Sequence, residues 1–409
     1  MNRIDAMRRG LTDGRNERDI ERPHADQGLD EVPISAFAAS HNAAALALYQ
    51  HVSKGVGNRV FSPLSVRMAL AMAWAGARGD TAVQMARALH FDPQAAQVHA
   101  GFSALLRRLA QLRKGGEGLT MANSLWAQAG ATLRPEFLEL VDQFYGGGVN
   151  TADFRRDAGE VRRRINDWVG RETDQKIREL MGPNSIGPDT RLALVNACSF
   201  LGKWVTTFPA ENTSEQPFYL EDGSQTNTPL MCVKSMFRLF QSPDFAAVEM
   251  LYQRCGMSMV VVLPKARAGL PALEAGLSAG FLDECVSQMD VNEATVFLPR
   301  FKIRWSDSMN GPLRALGMAD AFEPGRADFS GINGSRPPQD DALAISEVQH
   351  EAWIETDEQG TRAAAATGGG MTKCLPATFR ADHPFLFAIR GVRSGVIWFL
   401  GRVADPTRE

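Results

Sequence analysis

The chain has 409 residues, of which 44% are hydrophobic, with a formal net charge of −3, five cysteines and seven histidines. So small a charge excludes the basic field that holds nucleic acid or an anionic membrane surface, and neither is expected as a partner. No apolar run approaches the roughly 20 residues needed to span a bilayer. Length alone suggests roughly two or three domains, yet no Pro/Ser-rich linker or internal repeat divides the sequence.

Residues 1–32 are rich in Arg, Asp and Glu and poor in apolar side chains. That composition predicts a disordered tail ahead of a folded domain at 33–409. The tail lacks the apolar stretch of a secretory leader, so the expected location is the cytoplasm, with non-conventional export as a route out. Cys198, Cys232, Cys255, Cys285 and Cys374 are odd in number and contain no Cys-x-x-Cys pair. This argues against a disulfide framework or a zinc site, and no metal or cofactor is expected.

Ser62-Pro63-Leu64 has the form of a helix start, with a hydroxyl to cap free amides and a proline where its missing N–H costs nothing. The helix should run to about Ala75. Residues 191–201 form a nearly continuous apolar run, hence a central strand, and Asn196 inside it must find buried partners. Residues 343–356 read as a half-buried strand, with apolar residues alternating from Val348 to Ile354.

After that strand comes Glu358-Gln-Gly-Thr-Arg-Ala-Ala-Ala-Ala-Thr-Gly-Gly-Gly370. Four alanines favour helix by propensity, and glycine-rich segments are commonly flexible linkers. Only seven residues separate Gly360 from Gly368, too few for a stable isolated helix. As a strand, the segment would present Thr361, Ala363, Ala365, Thr367, Gly369 and Met371 to the core. Arg362 falls on the opposite set, expected to face solvent, as do Gly368 and Gly370. Valines at those two glycines are therefore expected to add strand propensity without crowding the interior.

No constellation for catalysis is visible. His24, His41, His51, His90, His99, His350 and His383 are well separated. There is no Gly-x-Ser-x-Gly elbow, His-Glu-x-x-His pair or Gly-x-x-x-x-Gly-Lys loop.

The segment 379–390 (Phe-Arg-Ala-Asp-His-Pro-Phe-Leu-Phe-Ala-Ile-Arg) and the segment 395–406 resemble the C-terminal strands of the serpin family of protease inhibitors. Glu-x-Gly-Thr-x-Ala-Ala-Ala-Ala-Thr is similar to the hinge of a serpin reactive loop. Segments 58–66, 76–84, 194–204, 316–322 and 327–332 are also similar to serpin segments, in the family's order. The likeness covers about residues 35 to 406. It implies an α+β serpin fold, a mixed multi-sheet domain with about eight or nine helices and an exposed reactive loop at about 358–378.

What the resemblance implies for function is a suicide substrate of a serine or cysteine protease, monomeric and forming a covalent complex with its target. The loop is cut, an acyl-enzyme forms, and the freed hinge inserts into the large sheet before water can release the enzyme. The hinge is carried over to Glu358, Gly360, Thr361, Ala363, Ala364, Ala365, Ala366 and Thr367. Sheet opening falls to Ser62, Ser65, Asn196 and His350, and the breach region at the head of the sheet to Trp204. Counting sixteen positions on from Glu358 places the reactive bond at Cys374-Leu375, whereas counting back from Pro384 gives Lys373. The triple glycine at 368–370 departs from the bulkier residues usual there, which keeps open a non-inhibitory serpin-fold binding or carrier protein.

Overall fold

The computed structural model describes residues 34–91, 95–112, 118–360 and 377–409. The expected tail, 1–32, lies outside them.

Ten α-helices occur among the described residues: α1 (Ile34–Val52), α2 (Pro63–Gly76), α3 (Gly79–Ala88), α4 (Ala95–Leu112), α5 (Pro135–Tyr145), α6 (Phe154–Glu172), α7 (Leu270–Ala275), α8 (Phe281–Ser287), α9 (Asn310–Ala315) and α10 (Ser330–Asn333). The last four have seven residues or fewer. With fourteen strands among the same residues, the architecture is α+β.

One sheet joins nine strands: β1 (Arg59–Phe61), β5 (Ser214–Tyr219), β6 (Gln225–Gln241), β7 (Phe245–Leu251), β8 (Met257–Pro264), β9 (Asp290–Pro299), β12 (Ala377–Arg380), β13 (Phe385–Gly391) and β14 (Ile397–Val403). The other has five strands in the order β10 (Phe301–Ser308), β11 (Ile345–Thr356), β4 (Leu192–Leu201), β2 (Gly118–Gln128), β3 (Val149–Ala152). Within it β11 and β4 run parallel, with His350 opposite Asn196. Their outer neighbours, β10 and β2, pair with them antiparallel.

The local chemistry of α2 is as the sequence predicts. Ser62 is the N-cap, its Oγ accepting from the Ser65 N–H at 3.2 Å, and Pro63 fills the first turn. Every residue of α2 but Ala75 is buried, Ser65 and Arg67 included, in keeping with apolar residues on every other side of the helix. It lies in the main core and packs against β14 of one sheet and β2 and β4 of the other. β4 is buried on both faces, in keeping with its uninterrupted apolar run.

Two expectations are corrected. β11 is not half-buried throughout, because His350, Glu351, Ala352, Trp353 and Ile354 are all buried. The outer face is closed by a second, smaller core. There Val161, Ile165 and Val169 of α6, with Ile177, Leu180 and Met181 after it, pack on Trp126, Ala193, Val195, Ala197 and Trp353. The loop also ends earlier than 378, since Ala377 and Thr378 already pair with Ala294 and Thr295 of β9 in β12.

Candidate functional site

Two clusters lie along the β4/β11 pair, and the first is beneath its middle. The Ser62 N–H donates to Nε2 of His350 at 3.2 Å. Because a backbone N–H can only donate, that nitrogen is the acceptor, and Nδ1 carries the proton that it gives to Oδ1 of Asn196. The Asn196 amide nitrogen then donates to Ser65 Oγ at 2.6 Å and to Asn123 Oδ1. Ser65 Oγ donates in turn to Asn123 Oδ1 at 2.9 Å. Ser62, Ser65, Asn196 and His350, separated by up to 288 positions, thus form one buried network. Burial pulls the pKa of His350 down to about 3, so the ring is neutral.

Sequence reasoning missed Asn123. The signal was available, since it is an amide within the apolar run 119–128, as Asn196 is within 191–201. Its Nδ2 is buried with no hydrogen-bond partner.

The second cluster holds the chain where it leaves β11. Glu358, expected in an exposed loop, is buried instead. Arg300 embraces its carboxylate, with Nε at 2.7 and 2.8 Å from the two oxygens and Nη2 at 2.5 Å from Oε1. Thr213 Oγ1 donates to Oε1 at 2.6 Å. Burial opposes ionisation here, but the Arg300 and Thr213 hydrogen bonds outweigh it and hold the carboxyl below the usual range.

Trp204 secures the next three carbonyls together with Phe208. The indole Nε1 donates to Asp357 O at 3.0 Å, the Trp204 N–H to Gln359 O at 3.3 Å and the Phe208 N–H to Glu358 O at 2.9 Å. The indole stacks on Tyr252 with 4.3 Å between ring centroids. Gly360 closes the turn at φ +59°, where a Cβ would strike the backbone of Gly202 and Trp204.

Thr361, Ala363, Ala364, Ala365, Ala366 and Thr367 of the expected hinge, and Lys373, Cys374 and Leu375 of the expected reactive bond, lie outside the described residues. Among the described residues no group of three or more His, Cys, Asp or Glu could hold a metal ion, and no helix is long and apolar enough to cross a membrane.

The architecture is that of serpins of known structure. It superposes on uncleaved ovalbumin with a TM-score of 0.81 at 28% identity, covering 90% of this chain and 99% of that one. On maspin the TM-score is 0.83 at 26% identity, covering 91% and 99%. A family model described as Serpin (serine protease inhibitor) matches residues 39–406. The chain is 37% identical to the leukocyte elastase inhibitor of Xenopus tropicalis, over 87% of this chain and 94% of the relative. It is 35% identical to that of Homo sapiens, over 91% and 100%. The chain belongs to the serpin family, described as serine protease inhibitors, and these relatives are named as inhibitors rather than enzymes.

Proposed function

We propose that this protein is a suicide substrate that traps a serine or cysteine protease as a covalent complex. The observation that carries the reading is the direct parallel pairing of β4 with β11 inside the five-stranded sheet. Chain leaving β11 by the Asp357–Gly360 turn and doubling back beside it runs antiparallel to both β11 and β4. Its insertion replaces one parallel ladder with two antiparallel ones, and antiparallel pairing is slightly the more stable per residue. The ovalbumin on which the fold superposes is uncleaved, consistent with reading the direct β4/β11 pairing as the state before insertion.

In this mechanism the protease nucleophile attacks the carbonyl at Cys374-Leu375, or one residue earlier after Lys373, and the new amino terminus at the cut leaves. Thr361 onward then enters between β4 and β11, carrying the acyl-enzyme with it. Opening breaks the His350–Asn196 bond across the pair, while Ser62 and Ser65 stay on α2 to receive the new strand. The Arg300–Glu358 pair and Trp204 keep the turn fixed as the pivot.

The trap works as a monomer, since one chain supplies both loop and sheet. Among the described residues Cys198, Cys232, Cys255 and Cys285 form no disulfide, which fits action in a reducing compartment such as the cytoplasm. The test is incubation with a panel of serine and cysteine proteases. A complex that survives boiling in detergent is expected, and the released C-terminal peptide identifies the bond. Cleavage without complex against every protease would leave the binding or carrier alternative.

A further inference from the structure

Arg67 of α2 is a buried cation that no carboxylate pairs with among the described residues. Its Nε donates to Leu89 O at 3.0 Å, and Nη2 donates to Ser40 Oγ at 3.3 Å and His90 O at 3.4 Å. The rings of Phe37, Phe91 and Phe102 stand 5.9, 5.0 and 5.9 Å from the guanidinium carbon. The remaining contact is 2.9 Å long, between Nη1 and Nδ1 of His41, a fully buried residue of α1. A guanidinium only donates, so Nδ1 accepts, and the ring proton sits on Nε2, which gives it to Ile397 O of β14 at 2.7 Å. The one ring thus ties α1 to both α2 and β14. A second proton would turn Nδ1 into a donor and set two cations head-on.

The acids nearby are already paired with other cations. Asp283 of α8 lies 3.5 Å from the amide of Asn42, the residue after His41, but is held by Arg390 of β13. Glu274 pairs with Arg402 of β14 and accepts from Tyr49 OH at 2.6 Å, toward the far end of α1. α9 also packs on α1, and its Arg314 is paired with Glu323. α4 turns Phe102 to the guanidinium, while its His99 is bonded to Tyr145 of α5. His90, on the segment after α3, is lowered by burial and by Arg67. Nothing around His41 offers a counter-charge to an imidazolium.

We infer that His41 and Arg67 form an acid-released latch: when His41 takes up a proton Arg67 lets go, and residues 34–45 leave α2 and β14. The Tyr49–Glu274 bond keeps the rest of α1 in place, and both sheets stay folded, since α1 contributes no strand to either. Burial first, and then the charge of Arg67, keep the latched ring neutral down to about pH 3. Released into water, it titrates near pH 6.5. The latch is therefore at full strength above that value and weakens as pH falls towards the latched one. Each opening in that window takes up one proton, so the open fraction rises about tenfold per pH unit.

The test is native-state hydrogen exchange of the full chain between pH 7 and pH 5, with rates corrected for intrinsic exchange and kept above the usual carboxylate range near pH 4. Amides of residues 34–45 should exchange ahead of those in β6 to β8, and their opening should grow roughly twentyfold across that interval. His41→Gln, which cannot titrate, should remove this slope. His51→Gln, at the end of α1 that stays docked, and His90→Gln should each leave it in place. Nitrogen-15 shifts of the wild-type His41 ring give a second reading that needs no variant, a neutral ring at pH 6 with its proton on Nε2. Exchange of 34–45 that keeps step with β6 to β8 at every pH overturns the inference. So does a slope that survives His41→Gln, or a ring that is charged at pH 6 or protonated on Nδ1.

Discussion

The two sheets are built from similar residues yet differ in where their parallel pairs lie. In the nine-stranded sheet every interior ladder is antiparallel, and the single parallel pair, β12 with β9, sits at an edge. The five-stranded sheet also has a parallel pair at its edge, β2 with β3, but a second one, β11 with β4, lies in its interior. One sheet is therefore complete as folded. The other holds an interior site where an antiparallel strand improves the pairing on both sides, and a polar network rather than aliphatic packing joins its two halves at that level.

The largest expected effect puts the difference to a direct test. Nicking the loop should raise the melting temperature by tens of degrees, on the scale reached by large cumulative stabilisation. Calorimetry of intact and nicked protein checks this, and equal melting would mean that the five-stranded sheet is as complete as its partner. Next comes Thr361→Arg, which under the proposed insertion would set a charge on the inward face of the entering strand, where burial without a partner costs at least several kcal/mol. The variant should still be cut at the same bond yet form little detergent-stable complex.

The network that stands in for aliphatic packing is sharpened by His350→Ala. It strands the Ser62 N–H and the Asn196 carbonyl in the core and should destabilise the native protein by about 2–5 kcal/mol in urea titrations. The histidines also predict a pH dependence. Burial lowers His41 and His350 to about 3 and His99 to about 4. In the unfolded chain each takes up a proton below about pH 6.5, while the native state does not. Stability is therefore full above that value and lost as pH falls towards the folded values, by on the order of 1 kcal/mol per pH unit for each ring. Urea midpoints between pH 7 and 5 should decline, less steeply in the His350 variant.

The smallest effect belongs to the pivot. Glu358→Gln should cost about 1 kcal/mol, since the half-exposed Arg300 is screened by solvent. Hydrogen exchange should rise at the Trp204 and Phe208 amides while those of β6 to β8 stay protected.

Capping and hydrophobic pattern made α2, β4 and the end of β11 legible, because a serine before proline and an unbroken apolar run act locally. The parallel pairing did not show, since it joins stretches some 150 positions apart through backbone groups that every residue carries. Glu358 was read as exposed because its partners, Arg300 and Thr213, lie 58 and 145 positions away. The helix that covers the outer face of the five-stranded sheet was hidden for another reason. Six arginines make α6 look like a solvated helix, although its Val161, Ile165 and Val169 face the sheet. Asn196 announced a buried network in the sequence, and Asn123 should have been read with it.

The indole of Trp204 touches the pivot through one hydrogen bond to the Asp357 carbonyl, while Trp353 lies against the Lys176 ammonium at the edge of the opening pair. Both environments change if the sheet parts, and an indole's emission follows the dipoles and charges around it. The protein thus carries two native fluorophores at opposite faces of the same gap. Replacing each in turn by phenylalanine would let stopped-flow light report separately on the head of the sheet and on its outer face beside Trp353.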